Sequence, residues 1–175
     1  MPIVRRFAEN TPVIAPDVFL AENASVIGDV VIGLGSSIWY GTVVRGDVMP
    51  IRIGRATSIQ DNSVIHVTSG YSGTTVGDRV TVGHNVILHA CTIEDDCIIG
   101  MGSIILDGSR IRRGSIVGAG ALVTPGTDIP EGSMVMGAPG RVRRPLTDEE
   151  RARIASSAEH YVELARMYLA SATSK

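Results

Sequence analysis

A period of six governs this chain. From Ile14 an aliphatic residue returns at every sixth position, at Leu20, Val26, Ile32, Ile38 and Val44. Three inserted residues around Val48 to Pro50 break the phase, which resumes at Ile53, Ile59 and Ile65. The loop Val67 to Thr75 breaks it again before Val76, Val82 and Leu88. After one step of five the series runs Ile93, Ile99, Ile105, Ile111, Val117, Val123, Ile129 and Val135, and every member is Ile, Leu or Val. Small or β-branched residues stand two positions before most of them, as at Ala24, Thr42, Ser63, Cys91 and Cys97. Six matches neither the 3.6 of an amphipathic helix nor the two of an isolated strand. It matches a solenoid of very short strands joined by tight turns, in which each coil covers the next. Aromatic residues make up only 4% of the chain while glycines number 20, a balance that suits strands and turns better than a core built on large rings.

Beyond Val135 the pattern stops. Pro139, Gly140 and Pro145 interrupt strand formation, and Thr147 with Glu150 three residues later makes a capping box. Ile154, Ala158, Tyr161, Ala165 and Tyr168 then fall on one face of an amphipathic helix, where both tyrosines are expected to serve packing. The expected organisation is a solenoid domain over residues 1–140 followed by a linker and amphipathic α-helix over 141–175, with the helix packed alongside the solenoid. A net charge of −2 and a pI near 6.1 argue against nucleic acid as a partner. Arg141, Arg143 and Arg144 form the one basic cluster, read as a solvated loop. No apolar run approaches the roughly 20 residues that span a bilayer, and the N-terminus lacks a charged-then-apolar signal layout. No membrane association and a cytoplasmic location are therefore expected. Cys91 and Cys97 suit small core positions rather than a disulfide framework.

Three of the four histidines, His66, His84 and His89, fall within thirty residues beside a Gln60-Asp61 pair. Imidazole is the commonest protein ligand for zinc, and a catalytic zinc takes three protein ligands with a fourth position left to solvent. The spacing is neither helical nor that of a zinc finger, so the repeat has to decide where these rings stand. The chain resembles the hexapeptide-repeat family from about Ile14 to Val135. That resemblance implies a left-handed parallel β-helix in which three hexapeptides make one triangular coil and the aliphatic position points inward. Coils then begin at Ile14, Ile32, Ile53, Val76, Ile93, Ile111 and Ile129, and the third face stacks Val26, Val44, Ile65, Leu88, Ile105 and Val123. His66 and His89 each follow a member of that column. They are expected on neighbouring coils, about 4.8 Å apart and pointing outward, where they can share an ion. His84 follows Val82 of the second face by two residues and belongs near the next corner, beside Asp61 and out of reach of the same ion. A site with three histidines then needs a second copy. A cyclic homotrimer joining His66 and His89 of one chain to His84 of its neighbour gives three identical sites.

Four segments carry a sharper resemblance: VVRGD (Val43 to Asp47), IQDNSVIH (Ile59 to His66), VGHNVILH (Val82 to His89) and GMGSIILDG (Gly100 to Gly108). Together they are similar to the γ-class carbonic anhydrases, trimeric left-handed β-helices with a metal at each subunit interface, over nearly the whole chain. The resemblance implies that His66, His84 and His89 bind the metal and that Gln60 hydrogen-bonds the metal-bound solvent. It also implies that Arg45 and Asp47 pair near the subunit boundary. Arg45 follows Val44, which puts it below His66 in the column and agrees with that placement. Asp61 is expected to fix Gln60 or a histidine tautomer, Asp107 to be a turn former, and His160 to lie on the surface. The implied reaction is reversible hydration of carbon dioxide to bicarbonate, with zinc lowering the pKa of bound water from 15.7 to about 7. Iron or cobalt also accept imidazole.

Two loops depart from the best-known members of that family, which carry acidic residues there. This chain has Val48-Met49 in the first and VTSGYSGTT, without an acid, in the second, leaving His160 or Tyr71 as titratable substitutes for a proton acceptor. MGAPGRVRR (Met136 to Arg144) resembles the loop after the last coil of acyl-CoA-dependent hexapeptide acyltransferases. Acyl transfer or thioester hydrolysis is therefore the rival activity, and a metal-binding assembly subunit without catalysis is the third.

Overall fold

A computed structural model describes residues 1–172. The inward column of the first face runs Ile14, Ile32, Ile53, Val76, Ile93, Ile111 and Ile129 in unbroken parallel register. The second runs Leu20, Ile38, Ile59, Val82, Ile99, Val117 and Val135. The third runs Val26, Val44, Ile65, Leu88, Ile105 and Val123. The chain forms the left-handed parallel β-helix that the resemblance implies, and the main core fills the middle of the triangular stack. Ile38, Ile59, Ile65, Leu88, Ile99, Ile105 and Ile111 are all fully buried there. One aliphatic side chain per hexapeptide suffices because each lies directly on the one below, at strand spacing.

Two elements escape the period. Strand Ile3–Arg5 pairs with Ser25–Ile32 and sets Val4 on top of Val26, so the third column begins one coil earlier than the repeat shows. Val4 stands ten positions before Ile14, which hides the phase. At the other end Arg141–Pro145, expected as a linker, is a strand running antiparallel to Ser133–Met136. The chain reverses there and covers the outer edge of Ser133–Met136.

Corners set the outward side chains. Asn62 and Asn85 take the left-handed conformation, φ 58° and 55°, at successive turns before the third face, a conformation asparagine tolerates better than most side chains. The corner after the third face is different: Val43–Ile53 passes through it as one continuous strand. A Cβ on Gly28 would stand 2.4 Å from the Gly46 carbonyl oxygen, and Gly28 has φ +79°, so only glycine admits this approach. That bent strand carries Arg45 and Asp47.

The three faces differ outside. The first presents Arg52, Thr75, Thr92, Arg110 and Asp128 in register and is polar. The second is covered by the helix Asp148–Ala172. Its start is the predicted box: the Thr147 N–H donates to Glu150 Oε2 (2.9 Å) and the Glu150 N–H to Thr147 Oγ1 (3.3 Å). Ile154, Ala158 and Ala165 are buried under it, and Tyr161 and Tyr168 pack on Trp39, with Tyr168 also against Phe19. The third face presents Val43, Val64, Ile87, Ile104 and Leu122 outward in one ladder, and no element of the described chain covers it. None of the described helices is long and apolar enough to cross a membrane.

Cys91 and Cys97 are free and buried, and burial pushes both thiols up to about 12. At pH 8 roughly one thiol in ten thousand is then ionised, and the thiolate is the nucleophile. Ellman's reagent is expected to label neither cysteine in the folded protein at pH 8 and both after denaturation. Rapid labelling before unfolding would contradict their core placement.

Candidate metal centre

Strands Val64–His66 and Ile87–His89 end at the corner after the third face, and His66 lies in register with His89. The two rings meet. His66 Nδ1 is 3.2 Å from His89 Nε2, with ring centroids 5.2 Å apart. Each ring's other nitrogen reaches a carboxylate: His66 Nε2 lies 3.0 Å from Asp47 Oδ1, and His89 Nδ1 lies 2.6 Å from Asp107 Oδ1. Asp47 also accepts from Arg45 Nη1, and Asp107 Oδ2 accepts from the Thr68 hydroxyl at 2.8 Å. Burial pushes the Asp47 carboxyl up, but the bonds from His66 and Arg45 outweigh it and hold the group below the usual carboxylate range. The bond from His89 does most to hold Asp107 low, with Thr68 adding to it against a smaller burial effect.

Those ionised carboxylates only accept hydrogen bonds, so the rings must donate to them. When both imidazoles are neutral, His66 Nδ1 and His89 Nε2 are left with lone pairs facing each other across 3.2 Å. Two facing lone pairs repel unless a cation lies between them. A tetrahedral zinc with Zn–N bonds of 2.0–2.1 Å holds its nitrogen ligands about 3.3 Å apart. The pair therefore fits a metal.

His84 stands elsewhere, at the corner before the third face. Its Nδ1 donates to Asp61 Oδ2 (2.8 Å), one coil below, and its side chain is 43% exposed. Among the described residues no three metal-binding side chains converge. Gln60 is 5% exposed at the same corner, its backbone tied to Val82, Ser63 and Thr42, and its side-chain amide makes no hydrogen bond within the described chain. The structure thus brings His66, His89, Arg45, Asp47 and Asp107 to one edge of the apolar third face and Gln60, Asp61 and His84 to the other. Tyr71 lies on the first edge, its hydroxyl over Gly108, and His160 is exposed on the helix.

The reading of Asp107 as a turn former missed its bond to His89. The signal was in the repeat: the residues just past the third column at this corner are Asp47, Thr68 and Asp107 on coils two, three and five, interleaved with both histidines.

Comparison with known proteins bears on what the two edges are for. Residues 90–125 match the family model "Bacterial transferase hexapeptide (six repeats)" and residues 56–90 match "Hexapeptide repeat of succinyl-transferase". A Methanocaldococcus jannaschii protein named as a probable carbonic anhydrase is 54% identical over 86% of this chain and 94% of its own length. The Geobacillus kaustophilus protein named carbonic anhydrase is 46% identical over 91% and 87%. The chain belongs to the γ carbonic anhydrase family. Gamma carbonic anhydrase 2, mitochondrial, of Arabidopsis thaliana is 49% identical over 91% of this chain, which spans only 59% of that relative's length. A second plant relative is spanned over 61%. The family includes proteins not named for an activity, such as Escherichia coli YrdA at 44% identity. Among solved structures, the product of the BC4754 gene of Bacillus cereus superposes with a TM-score of 0.93 at 43% identity, covering 95% of this chain and 96% of that one.

Proposed function

We propose that this γ carbonic anhydrase family member is a metal-dependent enzyme that hydrates carbon dioxide reversibly to bicarbonate at the interfaces of a homotrimer. The observation that carries this reading is the His66–His89 pair, two nitrogens 3.2 Å apart, with each ring's second nitrogen committed to a carboxylate. Zinc held there, or iron or cobalt in its place, would supply Lewis-acid activation of water near neutral pH.

The third ligand comes from a second copy. The two half-sites flank one face, and that face carries the uncovered ladder Val43, Val64, Ile87, Ile104 and Leu122. Val64 and Ile87 are 39% and 38% exposed in the single chain. Burying this ladder supplies the driving force for assembly. An interface that sets one edge of the face against the opposite edge of the next copy is heterologous, and it closes into a ring when the rotation allows. Three copies close it around a triangular solenoid, and His84 of each meets the His66–His89 pair of the next.

The chain's own groups then divide the work. Asp47, Asp61 and Asp107 each take a histidine N–H and hold a ring in place. The unengaged amide of Gln60, which comes with His84 from the neighbouring copy, orients the substrate or the reacting water. Arg45 stays paired with Asp47 and fixes that carboxylate under His66. The apolar ladder keeps bulk water from entering through the middle of the assembly.

Elemental analysis of anaerobically purified protein, with its mass in solution and stopped-flow carbon dioxide hydration, tests the reading. One metal per chain, a mass near three times 18.5 kDa and metal-dependent hydration are expected. A metal-loaded monomer would sink the shared-site geometry. The transferase descriptions of the repeat models favour acyl transfer as the second reading; acetyl-CoA titrated into the same protein is expected to give no binding heat.

A further inference from the structure

The corner that follows the third face holds a three-member relay that ends on the metal pair. Thr68 Oγ1 donates to Asp107 Oδ2 at 2.8 Å, and Asp107 Oδ1 accepts from His89 Nδ1 at 2.6 Å. The backbone around Asp107 is fixed on both sides. The Gly108 N–H donates to the Ala90 carbonyl and the Gly126 N–H to the Asp107 carbonyl, both at 2.8 Å. Thr68 is held in turn, because its loop closes on itself through the Thr68–Ser72 bridge and sets the Tyr71 hydroxyl over Gly108. The acid-free loop is therefore coupled to His89 through the Asp107 carboxylate, and Thr68 Oγ1 itself lies 3.4 Å from His89 Nδ1.

A free histidine side chain prefers its proton on Nε2. That tautomer would place an N–H, not a lone pair, toward His66. A carboxylate at Nδ1 reverses the preference because it can only accept. We propose that Asp107, oriented by Thr68, is a positioning residue that locks His89 in its Nδ1–H form and thereby presents Nε2 to the metal.

This inference rests on the metal reading above but can fail separately from it. Nitrogen-15 shifts of His89 in the metal-free protein, taken at a pH where the ring is neutral, report the tautomer without any metal or activity. Zinc affinity follows from competition with a chromophoric chelator. Wild type is expected to show His89 as Nδ1–H. Asp107→Ala is expected to move the ring mainly to Nε2–H and to weaken zinc binding by about 10- to 100-fold. Asp107→Asn keeps an acceptor oxygen and should recover part of both effects. Thr68→Val leaves the carboxylate but frees it, giving a smaller shift in the same direction. A folded Asp107→Ala protein with unchanged His89 shifts, or with zinc affinity within about twofold of wild type, overturns the proposal. If Asp107→Ala does not fold, unchanged shifts and affinity in Thr68→Val overturn it instead. Wild type that takes up no zinc defeats the proposed function, while the tautomer measurement still decides this inference.

Discussion

Alanine at His66 is expected to empty the metal centre and reduce carbon dioxide hydration to background. The fall should be about a thousandfold or more in kcat/KM, corresponding to about 4 kcal/mol of transition-state stabilisation. His66 is one of two rings that face each other at 3.2 Å, and its removal leaves a single ligand from that chain. Its side chain is not part of the inward columns, since Ile65 fills that position and is fully buried. The fold should survive. Stopped-flow hydration with a pH indicator, alongside metal content and circular dichroism, checks both halves of the expectation. Thr92→Ala, on the polar first face, serves as the control that should retain full rate. Hydration within tenfold of wild type in a metal-free His66→Ala protein would refute metal-dependent catalysis at this corner.

Aspartate at Ile87 should produce the second large effect, on assembly. Ile87 projects from the middle of the uncovered ladder, between Val64 and Ile104. In a ring built on this face, each copy would bury a carboxylate without a partner and bring it toward two others. Unpaired buried charge costs several kcal/mol, which weakens association by about a thousandfold or more. Sedimentation should show the assembly replaced by single chains of 18.5 kDa, and metal content should fall with it because His84 leaves the pair. Thr92→Asp makes the same change on the polar first face and should leave the mass untouched. An Ile87→Asp protein that keeps wild-type mass and metal would show that this face is not the interface.

Much of this was readable from residue order, because a solenoid converts position in the chain into position in space by simple counting. Ile65 and Leu88 share a column, so the next residues, His66 and His89, had to be neighbours. The same counting put His84 beside Asp61 and away from them. What counting missed lies where the chain leaves the period. Val4 caps the third column from ten positions before Ile14, and Arg141–Pro145 turns back against the last coil through backbone pairing that carries no side-chain pattern. The Asp107–His89 bond was hidden for another reason. An LDG sequence reads locally as a turn, and only the coil below it shows that the carboxylate meets an imidazole.

The two ends of the stack are unlike, and both bear on how the protein comes apart. Arg141–Pro145 covers the last strand of the second face at one end, whereas at the other Val4 tops its column 47% exposed and, among the described residues, no further strand pairs with the outer edge of Ile3–Arg5. Since every coil leans only on its neighbours, thermal fraying should enter at the end coils and travel inward coil by coil. The histidine corner, on the third and fourth coils, is shielded by the layers above it. A molecule that has already begun to unzip can therefore keep its ligand pair intact.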